Sequence, residues 1–146
     1  MLCYYLNESA RANGVTQLVS PKPGDAGYDI RSNERLELHP GEQAVIATGL
    51  HVQIPAGMVG VLKDRSSMAR AGLRVSGGVI DASYRGEILV LLENRGHSPY
   101  KINVNDRIVQ MLVTPCYTET TRQVTDLADL GATERGGGGF GSTGIE

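Results

Sequence analysis

Arg35-Leu36-Glu37-Leu38-His39-Pro40-Gly41-Glu42-Gln43-Ala44-Val45-Ile46-Ala47-Thr48-Gly49-Leu50-His51-Val52-Gln53-Ile54-Pro55-Ala56-Gly57 reads as a succession of short β-strands with the turns written between them. Leu36 and Leu38 alternate with charged residues, and Pro40-Gly41 then turns the chain. Val45 to Ala47 is a second run. Leu50, Val52 and Ile54 alternate in a third, before Pro55-Ala56-Gly57 turns the chain again. A period of two marks a strand with one buried face, while Pro and Gly supply the backbone angles that tight turns need. The same texture extends outward through Met58 to Leu62, Ile88 to Leu92, Ile102 and Val104, and Ile108 to Val113, with a Tyr-rich run at Leu2 to Leu6. Runs of this kind recurring about every eight to twelve residues predict an all-β sandwich, jelly roll or barrel. Ser66 to Gly72 is the single good helix candidate, with hydroxyls to cap its start and Gly to stop it. Glu8 to Ser20 reads as a loop with a weak strand. Ile88-Leu89-Val90-Leu91-Leu92 has no polar alternation, which predicts cover on both faces. In a chain of 146 residues the second cover is naturally another copy of itself.

The bulk composition narrows the possibilities. One domain of this length buries a core of its own, and with no Trp and one Phe that core must be aliphatic. A net charge of −2 suggests neither a nucleic-acid surface nor a membrane-seeking patch, so an anionic ligand would need arginines gathered locally. Cys3 and Cys116 lie far apart without metal-site spacing and read as buried or partly buried free thiols. His39, His51 and His97 are scattered and read as surface residues. No run reaches membrane-span length, and Met1 to Tyr5 lacks the basic start of a signal peptide, so the chain is expected to be soluble and cytoplasmic.

Several stretches carry groups suited to chemistry, and each also has an ordinary structural reading. Gly77-Gly78-Val79-Ile80-Asp81-Ala82-Ser83-Tyr84-Arg85-Gly86 sets one carboxylate between an apolar pair and a Tyr, with glycines at both ends. It is either a hairpin with a solvated Asp or a frame holding a planar ring against main-chain amides beside a general base. Arg65-Ser66-Ser67 is either a capped helix start or an anion site. In Asp106-Arg107-Ile108-Val109-Gln110 the charged pair is either internally bonded or part of a site in which Gln110 orients a water. Arg135-Gly136-Gly137-Gly138-Gly139-Phe140-Gly141-Ser142-Thr143-Gly144 is either a linker or a lid. Ordering such a segment costs roughly 1–2 kcal/mol per residue, so it needs partners before it settles. Arg135, Phe140, Ser142 and Thr143 are residues a bare linker does not require.

These stretches occur together and in order, and there the chain resembles the trimeric deoxyuridine triphosphatase (dUTPase) family. Ala26-Gly27-Tyr28-Asp29-Ile30, Arg65-Ser66-Ser67, Gly78 to Gly86, Asp106 to Gln110 and Arg135 to Gly144 match that family's five motifs. The resemblance implies a jelly-roll β domain over residues 1–130 and a glycine-rich arm over 131–146 that closes on a neighbouring subunit's site. It implies a homotrimer hydrolysing dUTP to dUMP and pyrophosphate, with Mg²⁺ carried mainly by the triphosphate and no direct protein ligand. By position, Asp81 would be the general base. Backbone groups from Val75 through Gly78, Val79 and Ile80 would read the uracil edge, and Tyr84 would pack on deoxyribose where a 2′-hydroxyl would clash. Arg65, Ser66, Ser67 and Gln110 would hold phosphates and water. Arg135 would grip the terminal phosphate, Phe140 would cover the base, and Gly141, Ser142 and Thr143 would add phosphate contacts. Asp29 and Asp106 would act from behind these groups.

The chemistry is coherent. Phosphoryl attack needs charge neutralisation and a positioned water more than an exotic nucleophile. Hydrophobic rejection of thymine would be weak, since one methyl is worth ~1–3 kcal/mol, whereas a rigid hairpin leaving no room at ring carbon 5 discriminates better. Two positions depart from the family pattern: Asn105 where Gly is common, which also tolerates the left-handed turn, and Asp64 beside Arg65, where it either holds that Arg or weakens its grip on phosphate. The rival resemblance is to dCTP deaminases, including bifunctional ones. Their catalytic Glu aligns with Leu91 here, with Glu93 two residues on. A catalytically inactive nucleotide-binding homologue is the third reading.

Overall fold

The structure, a computed structural model, describes residues 1–16 and 18–138. Its elements in chain order are β1 (Cys3–Leu6), α1 (Glu8–Ala12), β2 (Tyr28–Arg31), β3 (Leu36–Leu38), β4 (Gln43–Ala47), β5 (Leu50–Gln53) and β6 (Met58–Asp64). There follow α2 (Ser66–Arg70), β7 (Leu73–Ser76), β8 (Val79–Ile80), β9 (Leu89–Asn94), β10 (Tyr100–Ile102), β11 (Arg107–Pro115) and a 3-10 turn at Leu127–Leu130. The fold is all-β, as the turn-punctuated runs predict. Four small sheets, ordered β1-β5, β3-β10, β2-β11-β6-β8 and β4-β9-β7, are all antiparallel and surround one core. That core is aliphatic. Ile30, Leu38, Ile46, Leu62, Leu73, Ile88, Val90, Leu92, Ile102, Ile108, Val109 and Met111 are its largest closed-off side chains. Both cysteines are free; Cys116 is half-buried as expected, but Cys3 is exposed, at the outer start of β1 where only Leu6 turns into the core.

Period-two alternation decides which side chains enter. In β9, Val90 and Leu92 are buried while Leu89 faces outward and is 50% exposed. Val45 on the neighbouring strand β4 is 58% exposed, two positions from the pair Ala47–Leu89. The apolar run is therefore covered on one face by its own core and presents the other as an aliphatic surface.

Glu8–Ala12, expected as a loop, is a helical turn. The Asn7 side chain accepts from the Ala10 amide at 2.9 Å, and Ala10 is fully buried against the rest of the fold. One cap and one buried Ala suffice for so short an element, which is too brief to show a 3.6-residue period. Helix α2 also departs from expectation in detail. Arg65 occupies its N-cap without a side-chain cap bond, and Ser66 and Ser67 are its first exposed residues rather than its caps. Asn105 takes φ +72°, so the left-handed turn survives without Gly.

The β4–β5 turn packs closely against α1. Gly49 adopts φ +66°, and a Cβ there would run into Ala10 Cβ and lie 2.9 Å from Asn7 Oδ1. Gly49→Ala combines backbone strain with overpacking and should cost about 2–5 kcal/mol in urea unfolding. A loss below ~0.5 kcal/mol would show that α1 yields freely.

Candidate active site

The first group of residues is built on the short edge strand β8. Gly77 and Gly78 take φ +68° and +91°, and the Gly78 carbonyl accepts from the Leu62 amide at 2.8 Å. A Cβ at Gly78 would stand 2.8 Å from Leu62 Cβ, so the close approach of this loop to β6 depends on glycine. Beyond it, Val79 pairs with Val61 and Ile80 with Gly60. Ile80 is buried, Val79 points outward, and β8 is the last strand of its sheet. One side of its backbone is bonded to β6 and the other lies open, which is the arrangement needed to read a planar ring's polar edge.

Asp81 follows directly. It is exposed, and among the described residues its carboxylate has no hydrogen-bond or ion-pair partner. It lines a cavity of about 280 Å³ with Gly57, Met58, Val59, Ala82, Ser83 and Cys116. The Tyr84 amide donates to the Asp81 carbonyl at 3.1 Å, and the Tyr84 hydroxyl donates to the Glu87 carbonyl at 2.8 Å. The ring lies across Gly86, where a Cβ would strike it. A solvent-exposed carboxylate without an internal partner, three residues before a fixed aromatic ring, is equipped to take a proton from water.

The second group gathers at the other end of β6. Asp29 on β2 faces Gln110 on β11, whose other neighbour is Lys63 on β6. Asp29 Oδ1 accepts from Arg65 Nε at 2.7 Å, and its Oδ2 accepts from Arg107 Nη1 at 3.0 Å. Arg65 Nη1 also donates to the Arg107 carbonyl at 3.2 Å and reaches Ser67 Oγ at 3.5 Å. One carboxylate thus holds two guanidiniums side by side, next to the exposed hydroxyls of Ser66 and Ser67. The surplus positive charge suits a polyanion. Gln110 Nε2 donates to the Asp64 carbonyl at 3.1 Å.

Several residues play parts the sequence did not disclose. Asp64 does not hold Arg65. Its carboxylate accepts from the Val75 amide at 2.7 Å and lies 3.7 Å from Arg74. The Val75 N–H is thereby committed within the chain. Asp106 and Arg107 do not pair: Asp106 closes its own turn by accepting from the Asn103 amide at 2.8 Å, and Arg107 goes to Asp29. The second guanidinium on Asp29 was therefore missed, and its only sequence signal was its place beside Asp106. His51, expected to be a plain surface residue, has Nδ1 3.0 Å from the Arg85 carbonyl and supports the Tyr84 loop. Leu91 offers no carboxylate, and Glu93 is held by Arg95 at 2.8 Å. Arg135 folds back on the Gly138 carbonyl at 2.9 Å, exposed on its own turn. Phe140, Gly141, Ser142 and Thr143 lie outside the described residues.

The two groups are far apart in one chain. The β6–β8 register sets Asp81 beside Val59, near the start of β6, and Arg65 comes six residues later, just past the strand's last residue Asp64. At about 3.3 Å per residue the separation is about 20 Å, too great for one water and one phosphate to meet both.

The comparisons with known proteins bear on this arrangement. The family model described as dUTPase matches residues 15–144. A deoxyuridine 5'-triphosphate nucleotidohydrolase of Mycolicibacterium gilvum is 47% identical over 127 residues, covering 83% of this chain and 82% of that protein. The dUTPase of Staphylococcus bacteriophage 80alpha, solved with dUPNHPP, superposes with a TM-score of 0.87 at 29% identity and covers 99% of both chains. A mutant dUTPase from phage phi11 of S. aureus, solved to show how a structural Mg(II) ion is coordinated, superposes with a TM-score of 0.77 at 28% identity, over 88% of this chain and 99% of that one.

Proposed function

The chain belongs to the dUTPase family and is a dUTP diphosphatase, and on that premise we propose that its catalytic centre is divided between copies of the chain. The observation that carries this reading is the separation along β6. Asp81 and the Arg65–Asp29–Arg107 cluster have complementary chemistry, yet about 20 Å of strand lies between them. A homotrimer resolves this by setting the carboxylate of one copy against the guanidiniums of the next. The outward aliphatic face at Val45 and Leu89 supplies surface that such an assembly would bury. Tyr117, Leu127 and Leu130 are also exposed, on the segment leading to the glycine-rich arm, and we read that segment as lying on a neighbouring copy.

In this centre the open edge of β8, through Gly78, Val79 and Ile80, reads the uracil, and Tyr84 lies under the sugar. Asp81 takes a proton from a water whose oxygen bonds to the α-phosphorus. The bridge oxygen to the β-phosphorus leaves with pyrophosphate, and dUMP remains. Arg65, Ser66, Ser67 and Gln110 of the adjoining copy hold the phosphates and the water, with Asp29 keeping the guanidiniums in place. Asp106 acts at one remove by closing the turn that delivers Arg107. Arg135, Phe140, Gly141, Ser142 and Thr143 close the centre from the arm.

The donor set bears on Mg²⁺ as well. Both oxygens of Asp29 are engaged by guanidiniums, and no group of three or more His, Cys, Asp or Glu among the described residues is arranged to hold a metal. These residues suit an ion that arrives on phosphate oxygens, where it would neutralise charge on the leaving pyrophosphate. Among the described residues no helix is long and apolar enough to cross a membrane, and a substrate drawn from the free nucleotide pool puts the enzyme's work in the cytoplasm.

Pyrophosphate release from dUTP, run beside ammonia release from dCTP, tests the assignment. Rapid pyrophosphate and no ammonia are expected. Ammonia from dCTP would move the chain to the deaminases, and binding of dUTP without turnover would make it an inactive homologue.

A further inference from the structure

The loop bearing Asp81 and Tyr84 is anchored by a residue that no motif role explains. Glu87 is half-buried, and its Oε1 accepts from two consecutive amides of the β4–β5 turn, Thr48 at 3.0 Å and Gly49 at 2.7 Å. The turn receiving it is itself fixed. Thr48 is buried and donates its hydroxyl to the Ile88 carbonyl at 2.6 Å, while the Ile88 amide donates to the Leu50 carbonyl at 2.7 Å. The Asn7 amide in turn donates to the Gly49 carbonyl at 2.9 Å. At its other side, the Glu87 main-chain carbonyl is the acceptor for the Tyr84 hydroxyl at 2.8 Å. One residue therefore joins a rigid turn to the aromatic ring.

We propose that Glu87 is a positioning residue that sets the Tyr84 ring, and through it the discrimination of deoxyribose from ribose. The proposal rests on the reading of Tyr84 as the surface beneath the sugar. A carboxylate oxygen taking two amide protons makes charge-assisted bonds, which hold their geometry better than neutral ones. With that clamp in place, residue 87 cannot shift along the β4–β5 turn. The phenol then has one fixed acceptor, and the ring has one height above the sugar site. Without it, Tyr84 keeps its side chain but loses its reference point, and space opens where a 2′-hydroxyl is otherwise refused. The substrate consequence is selective: UTP gains relative to dUTP.

The test measures kcat and KM for dUTP and UTP in wild type, Glu87→Ala and Glu87→Gln, with thermal melting and oligomeric state recorded for each. Because small misplacements of a substrate cost large factors in rate, Glu87→Ala should lower the dUTP-to-UTP ratio of kcat/KM by roughly ten- to a hundredfold. Glu87→Gln keeps an oxygen acceptor for both amides and should hold the ratio within about threefold of wild type. Tyr84→Phe removes the phenol that uses Glu87, so adding Glu87→Ala to it should change the ratio little further. Parallel losses on both nucleotides with an unchanged ratio would overturn the proposal, as would a Glu87→Gln variant no better than Ala. Should Ala fail to fold, the Gln variant and the Tyr84→Phe background decide: a Tyr84→Phe ratio equal to wild type overturns the proposal. A wild-type protein that does not turn over dUTP would instead sink the assignment of function itself.

Discussion

Asp81→Asn is expected to lower kcat on dUTP by about 10²–10⁴ while leaving the affinity for a non-hydrolysable imido analogue of dUTP within a few-fold of wild type. The substitution keeps the shape of the side chain and removes only its capacity to take a proton. Asp81 is exposed and, among the described residues, has no cation or donor to lose, so the fold should be indifferent to it. Thermal and urea unfolding should move by no more than about 0.5 kcal/mol. Asp29→Asn is a useful contrast. There the carboxylate bridges Arg65 and Arg107 at 2.7 and 3.0 Å, so binding of the analogue should weaken along with turnover. A loss of kcat under tenfold for Asp81→Asn would remove this residue from the role of base. Equal loss of analogue binding would recast it as a binding residue.

The sequence displays most of the fold because its turns are spelled out. Pro40-Gly41, Pro55 to Gly57 and the alternating leucines and valines between them are local signals, and the strands fall where those signals place them. Asn105 is a further case, since the left-handed tolerance of Asn is a property of one residue and needs no partner. Glu8–Ala12 escaped notice for the opposite reason. Its helical turn depends on Ala10 being buried against the rest of the fold, beneath the β4–β5 turn where Gly49 leaves no room, and a window of five residues contains no such information.

Partner choice is the part of the site that composition and motif order leave unspecified. Asp29 meets Arg65 across 36 residues of chain and Arg107 across 78. The adjacent pairs Asp64-Arg65 and Asp106-Arg107 look like natural ion pairs, yet neither forms: each straddles the end of a strand, both Asp carboxylates are taken by backbone amides, and both guanidiniums go to Asp29. Glu87 is a similar case. Two residues from Arg85 in sequence, it spends its carboxylate on amides 38 and 39 residues away. The 20 Å between Asp81 and Arg65 belongs to the same class of fact: it follows from the β6–β8 register and from nothing nearer in the chain.

That separation makes the second large prediction, which is complementation between two inactive variants. Arg65→Ala removes the guanidinium proposed to face the phosphates, and Asp81→Asn removes the proposed base, so under this reading an assembly of either variant alone should be nearly silent. In a mixed assembly, a centre that takes Arg65 from an Asp81→Asn chain and Asp81 from an Arg65→Ala chain has both native groups. Random assortment of equal amounts leaves about one centre in four in that condition, whatever the number of copies in a closed ring. Neither substitution touches the aliphatic face at Val45 and Leu89, so mixing should be unbiased.

The two variants, unfolded in denaturant, combined in equal amounts and reassembled, should recover about a quarter of the wild-type rate of pyrophosphate release from dUTP. A mixture no more active than the variants kept apart, from a sample verified to contain mixed oligomers, would mean that each chain completes its own centre, contrary to a site divided along β6.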